Sequence, residues 1–284
     1  YGRSLAVDPE NPVALRGRGV SLLALERIPE AIADLEKATG LAPEDAGTWL
    51  GLGTAQIRGG LPDRAVVSLE RALALDERNP VAWYEKGVAL EGLGRRREAL
   101  EAFSRSLDLD SERKDAWRHR GSLLFEERSL DEALEAFDHV LRIDPKDAGA
   151  WYNRGCILGD LGDADGAVGS FDRALAINPQ DASVYQGKGD LHVLAGRYKE
   201  ALESYLKARD LDPTLANPLE GAIERCIAFV QFNLTQWRDQ GLFLLSQDEP
   251  VEAVRYFDRV LEVEPEHAEA LLRKGEALEA LGRY

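Results

Sequence analysis

Methionine is absent from the 284 residues, cysteine occurs twice, histidine four times, and 35 basic residues face 51 acidic ones. Each shortage excludes something. The two thiols, Cys156 and Cys226, form no CxxC pattern, so neither a disulfide framework nor a zinc site has support, and so few thiols fit a reducing compartment. The net charge of −16 argues against nucleic acid, whose phosphates need an excess of Lys and Arg on some face, and no basic run exceeds Arg95-Arg96-Arg97. No apolar run nears the roughly 20 residues of a membrane span. No signal peptide is present. The missing Met and a start in mid-pattern put the natural beginning upstream of Tyr1, where a targeting segment would have been lost. A cytoplasmic location is the remaining expectation. The apolar fraction of 44% is that of an ordinary folded protein, which excludes disorder.

What is present recurs. Trp49, Trp83, Trp117 and Trp151 stand 34 residues apart, with Leu15 and Tyr185 extending the series at either end. Four residues after each comes a glycine: Gly19, Gly53, Gly87, Gly121, Gly155, Gly189. Ala31, Ala65, Ala99, Ala133, Ala167 and Ala201 keep the same step, each followed four residues later by Leu35, Leu69, Phe103, Phe137, Phe171 or Tyr205. Pro9, Pro43, Pro145, Pro179 and Pro213 close repeats in register. A residue set stamped this often is architecture, whereas a catalytic constellation needs to exist once. The stretch 147–163, DAGAWYNRGCILGDLGD, looks rich in chemistry, yet its Trp151, Gly155 and Leu158 are repeat slots.

Each repeat spells two helices. Asn11, Asp45, Asn79, Asp147 and Asp181 occupy an N-cap slot, and Pro12 and Pro80 follow at the first helical position, where a missing N–H costs nothing. Gly60, Gly94, Gly162 and Gly196 suit a left-handed helix end. The second helix has Pro29, Pro62 or Pro250 in its first turn. A glycine on the first helix facing the alanine of the second is expected to let the backbones approach.

The pattern resembles the tetratricopeptide repeat, whose 34-residue period and W, L-G, Y, A, F and P slots match these residues. The resemblance implies an all-α, right-handed superhelical solenoid of antiparallel helix pairs, with the first helices lining a concave groove that binds peptides or protein partners without catalysis. Its domain organisation is a trailing half repeat at 1–11, six repeats over 12–215, an irregular helical insertion at 216–233, one repeat at 234–267 and the first helix of a further repeat at 268–284.

The insertion breaks the metre. Trp151 to Trp237 is 86 residues, two periods plus 18. Eighteen residues are about five helical turns, so one helix from about Pro218 to Leu245 would keep its apolar face in phase. The alternative is two helices, with Asn233 as N-cap and Gln236 completing a capping box. Ile227, Phe229, Val230, Phe232 and Leu234 exceed what a standard repeat buries. They either cover the end of the preceding stack or form an exposed patch for self-association or a partner.

Helical geometry turns the residue after the Trp slot, and those further along the same stripe, toward the groove. The expected partner-binding residues are Tyr84, Glu85, Glu91, Arg118, His119, Ser122, Tyr152, Asn153, Cys156, Asp160, Gln186 and Asp190, with Arg16, Val20, Arg238 and Asp239 on the same face. They do not repeat from unit to unit, as expected of residues that answer to a ligand. Tyr84, Tyr152 and Asn153 lead, because aromatic and amide groups grip a peptide at low entropic cost. The family's clamp for a C-terminal carboxylate is only half matched. Arg118 and Asn153 stand in two of its slots, but Ser122, Ser183 and Gly187 replace an amide and a basic pair.

No cofactor, no metal and no catalysis are expected. His119, His139, His192 and His267 sit in four different helices or turns without ligand spacing, and the glycines form no phosphate loop. Two rivals remain beside a peptide-binding scaffold. One is a scaffold that self-assembles through its ends or the 223–234 segment. The other is the repeat region of a larger enzyme or signalling protein whose catalytic domain lies beyond Tyr284.

Overall fold

Most first helices of the pairs begin where the sequence supplies an acceptor and end where it supplies a residue that can turn. The computed structural model describes residues 2–282; Tyr1, Arg283 and Tyr284, which belong to the first and last segments assigned above, lie outside the described residues. Among the described residues there is no strand. The helices run α1 (Gly2–Val7), α2 (Pro12–Ala24), α3 (Ile28–Leu41), α4 (Ala46–Arg58), α5 (Pro62–Leu75), α6 (Pro80–Gly92), α7 (Arg96–Leu109), α8 (Lys114–Glu126), α9 (Leu130–Ile143), α10 (Ala148–Asp160), α11 (Ala164–Ile177), α12 (Ala182–Leu194), α13 (Tyr198–Leu211), α14 (Ala216–Ser246), α15 (Pro250–Val263) and α16 (Ala268–Ala280). Dense internal contacts define two compact units, Tyr1–Ile157 and Leu158–Tyr284.

In the first unit the N-cap slot works as the sequence implies. Asn11 accepts from the Ala14 N–H at 2.9 Å, Asp45 from Gly47 at 3.1 Å, Asn79 from Val81 and Ala82 at 3.1 Å, and Asp147 from Ala150 at 3.0 Å. The repeated tryptophans then fasten the turn that leads into their own helix. The indole N–H of Trp49 donates to the Pro43 carbonyl at 2.8 Å, that of Trp83 to Glu77 at 2.9 Å, that of Trp117 to Ser111 at 2.9 Å and that of Trp151 to Pro145 at 3.0 Å. A basic residue three positions on, Lys86, Arg120 or Arg154, lies over the indole face of Trp83, Trp117 or Trp151.

The glycine slot corrects one expectation. It faces not the alanine but the bulky residue four positions beyond it. A Cβ on Gly53 would lie 2.5 Å from Leu69, and one on Gly87 2.5 Å from the Phe103 ring. The hydrogen of glycine leaves room for the ring itself to enter the helix crossing, and Phe103 and Phe137 are accordingly fully buried. At Gly121 the near atoms are again of Phe137, at 3.0 Å, with Ala136 beside it at 3.2 Å rather than the repeated Ala133.

First helices end in one left-handed residue, and the slot is constant. Gly60, Gly94, Gly162 and Gly196 have φ of 70°, 71°, 84° and 70°. Glu26 and Arg128 occupy the same slot with φ of 58° and 63°, as does Asp248 after α14 with φ of 62°. A side chain there pays a steric cost that glycine avoids.

The second unit keeps this construction through α12 and α13 and then departs from it. Residues 216–246 form one 31-residue helix, about 46 Å long at 1.5 Å per residue, so the continuous reading of the insertion holds. Asn233 and Gln236 lie inside it. The reason is local. Position 230 is the slot where regular first helices turn left-handed, and it holds Val, a β-branched residue for which that conformation is a genuine outlier. The helix therefore runs on. Its first part, through Leu219, Ile223 and Cys226, packs with Ala201, Tyr205 and Ala208 of α13. Its later part, through Leu234 and Trp237, packs with Phe257 and Val260 of α15, and with Ala270 and Ala277 of α16. A Cβ on Gly241 would meet the Phe257 ring at 2.7 Å, so the regular crossing resumes there. The excess apolar residues divide. Leu234 is buried and Val230 half-buried, while Phe229 rests on the Tyr198 ring at 3.8 Å between centroids and Phe232 is 61% exposed.

Candidate functional site

In the first unit the first helices of consecutive pairs touch, α2 with α4 and α4 with α6, which puts them on the inner side of the stack. Three predicted residues meet across α6 and α8. The His119 Nδ1 lies 2.7 Å from the Glu91 carboxylate. The His119 ring stacks on Phe103 at 5.3 Å and meets the Tyr84 ring edge-on at 5.8 Å. Tyr84 also leans on Phe103 at 5.9 Å. Its half-buried phenol is pushed up to about 12 by burial and then by the carboxylates of Asp115, Glu85 and Glu91, so it stays a neutral hydroxyl able to donate and accept. Burial likewise raises the Glu85 carboxyl, against the pull of Arg113.

Arg113 is the residue that sequence reasoning missed. Its guanidinium lies over the Tyr84 ring at 5.8 Å, and its buried Nε meets no acceptor. The signal was its position. Every neighbouring repeat has Asn or Asp in that slot, and α8 begins with no side-chain cap. Arg118 proves to have a second duty. It donates to Asp147, the N-cap of α10, at 2.7 Å and to Asp115 at 3.1 Å. Arg16 does the same to Asp45, the N-cap of α4, at 2.7 Å. Burial would raise the Asp147 carboxyl, but the Ala150 N–H and Arg118 outweigh it and hold it below the usual range. This arginine slot fastens one repeat to the next before it can meet a ligand. Ser122 on α8 and Tyr152, Asn153 and Cys156 on α10 are half-buried in the same unit.

The remaining predicted residues belong to the second unit. Asp160 is exposed, Gln186 is half-buried on α12, and Asp190 accepts the Tyr205 hydroxyl at 2.6 Å. Burial and then that bond push the Tyr205 phenol well above its ordinary range. Arg238 is paired with its neighbour Asp239 at 2.8 Å. Cys226 is 1% exposed, its thiol pushed up by burial. Among the described residues no three His, Cys, Asp or Glu gather as a metal site, and no helix is long and apolar enough to cross a membrane.

Comparison with known proteins fits this geometry. Models of the tetratricopeptide repeat match residues 84–148 and 238–284, 120–188, 22–84 and 182–215. The chain belongs to the tetratricopeptide repeat family. No curated protein matches it in sequence. Among solved structures it is similar to YrrB, described as a TPR protein with an unusual peptide-binding site, with 23% identity and a TM-score of 0.60 over 66% of this chain and 97% of that one. It is similar also to pilF of Pseudomonas aeruginosa, with 21% identity and a TM-score of 0.61 over 75% of this chain and 95% of that one. MamA gives 22% identity and a TM-score of 0.55 over 58% of this chain and 97% of that one. At these identities the likeness is one of fold.

Proposed function

We propose that the chain is a non-enzymatic scaffold that takes a peptide or partner protein on the inner face of its first helices. In the first unit the gripping groups are Tyr84, Glu91 and His119 on α6 and α8, with Ser122 beside them and Tyr152 and Asn153 on α10. In the second unit Gln186 and Asp190 offer polar contacts of their own. The observation that carries the reading is the Tyr84–His119–Glu91 cluster. It joins two neighbouring inner helices through a combination of residues that no other repeat has, while the packing slots around it are constant. The family supports the reading, as does the peptide-binding site by which YrrB is described.

A peptide array probed with the wild-type chain and a His119→Ala/Tyr152→Ala/Asn153→Ala variant tests it. Tyr84 is left in place so that Phe103, which loses the His119 ring in this variant, keeps one aromatic neighbour. Loss of about tenfold or more in binding, with an unchanged melting curve, is the expected result. Peptides held equally well by the variant would move the interface elsewhere and sink the proposal. One observation favours self-association as a second reading. Phe232 and Phe243 stand 61% and 56% exposed on α14. Mass that rises with concentration in sedimentation, and falls back on replacing both by Ser, would establish it.

A further inference from the structure

The long helix leaves a gap that regular repeats do not have. Phe229 sits in the slot where regular first helices stop, and because α14 continues, its middle passes the start of α13 and meets the end of α15. Between them lies a cavity of 240 Å³, walled by Tyr198, Phe229, Trp237 and Val263 and edged by Asn233 and Arg197. Lys199 gives one bond to the Glu262 carbonyl at 3.2 Å, and other hydrogen-bond donors of the lining are unspent. Four tryptophans of the chain give their indole N–H to the carbonyl six residues earlier, in the turn before their helix. No turn precedes Trp237, and among the described residues no acceptor meets its indole N–H. The Gln231 carbonyl, six residues back, already takes the Thr235 hydroxyl at 3.0 Å. The Asn233 amide has no partner among the described residues, and the Arg197 Nε is buried without one. Arg197 and Lys199 bring two positive charges to the cavity against the single carboxylate of Glu200, none of them in an ion pair among the described residues, in a chain of net charge −16.

We propose that this cavity docks an acidic, proline-bearing turn of a partner protein. The chain itself shows the chemistry that satisfies such a tryptophan: in two of the four regular cases the accepting carbonyl is that of a proline, Pro43 or Pro145, and Glu44 and Asp45 follow Pro43. A main-chain carbonyl takes the Trp237 N–H, the proline ring lies against the Tyr198 and Phe229 rings, and the acidic residues face Arg197 and Lys199. Aromatic walls suit proline because its ring is rigid and its ordering costs little. None of its lining residues is among those proposed above for partner binding.

The probe is a fluorescein-labelled peptide of residues 40–46, Gly-Leu-Ala-Pro-Glu-Asp-Ala, titrated into the whole chain by anisotropy. Saturable binding below about 1 mM is expected, weak as befits a short flexible segment. In nitrogen-15 spectra the Trp237 indole signal should move while the other four stay. Trp237→Phe, which keeps the aromatic wall and removes the donor, should weaken binding by about fivefold, the worth of one hydrogen bond. Replacing the peptide's proline by alanine should weaken it comparably, and the inner-face variant described above should bind as wild type. No saturation by about 1 mM, equal binding by Trp237→Phe, or loss of binding in the inner-face variant overturns the proposal. So does a Trp237 signal that moves with protein concentration alone, which would make a second copy of the chain the occupant.

Discussion

Helices α6 and α14 carry the same slots, Trp83 with Gly87 and Trp237 with Gly241, yet one is 13 residues long and the other 31. The difference lies at one position. After α6 the chain turns at Gly94, 11 residues past Trp83, with φ of 71°, whereas 11 residues past Leu219, which fills the Trp slot in the first part of α14, stands Val230, and the turn waits for Asp248, 11 residues past Trp237. Where the turn is made, a second helix can fold back on the first. Where it is omitted, the helix serves α13 with one part and α15 and α16 with the next. A repeat array is thus set as much by the residue that stops each helix as by the residues that pack it.

Breaking the long helix should have the largest effect. Val230→Pro removes a backbone bond and clashes with the preceding turn, at a cost of about 3 kcal/mol or more in denaturant unfolding. A loss below about 1 kcal/mol would mean that α14 is already broken in solution. Next comes the glycine slot. Gly87→Ala drives a Cβ into Phe103 and should cost about 1–3 kcal/mol. The same change at Gly275, where nothing lies within 4 Å, should stabilise by about 0.5–1 kcal/mol. Equal signs would refute the assignment of the crossing. Third, Arg128→Gly relieves a left-handed side chain and should raise stability by about 1 kcal/mol. Fourth, Trp83→Phe forfeits the bond to Glu77 and should cost about 1 kcal/mol more than Trp237→Phe, which forfeits none.

The smallest expected effect is one of pH. His192 is buried with an unpartnered Nδ1, and burial, then Arg197 and Lys188, lower its pKa. The unfolded chain then binds the proton more tightly than the folded one. Stability of the second unit should fall as pH drops through the ordinary histidine range toward the lowered value, and His192→Gln should flatten that slope in thermal melts.

Much of this was legible in the sequence. The 34-residue step, the Asn and Asp caps and the left-handed glycines each act through neighbours within a few residues, so the sequence order shows them. The long helix was legible twice over, from its 18-residue excess and from the valine in the turning slot. Contacts between helices were less so. Nothing in a local pattern says that Gly87 faces Phe103 rather than Ala99, or that Arg118 reaches forward to Asp147, because both depend on how helices cross. The basic slot three residues after the Trp recurs as Lys86, Arg154 and Lys188, each paired with an acid 16 residues earlier, and could have been counted. The inner-face cluster was half visible. Tyr84, Glu91 and His119 stood on the right stripe, while Arg113 was visible only as an exception among caps.

A helix without a joint has a mechanical consequence. In the regular pairs each turn is a place where small backbone rotations can be absorbed, so a strain applied at one hairpin dies away over its neighbours. Along α14 the surface through Leu219, Ile223 and Cys226 and the surface through Leu234, Trp237 and Gly241 share one hydrogen-bonded rod. A twist imposed on the first of these by α13 must reappear at the second, beneath α15, with its sense and most of its angle intact.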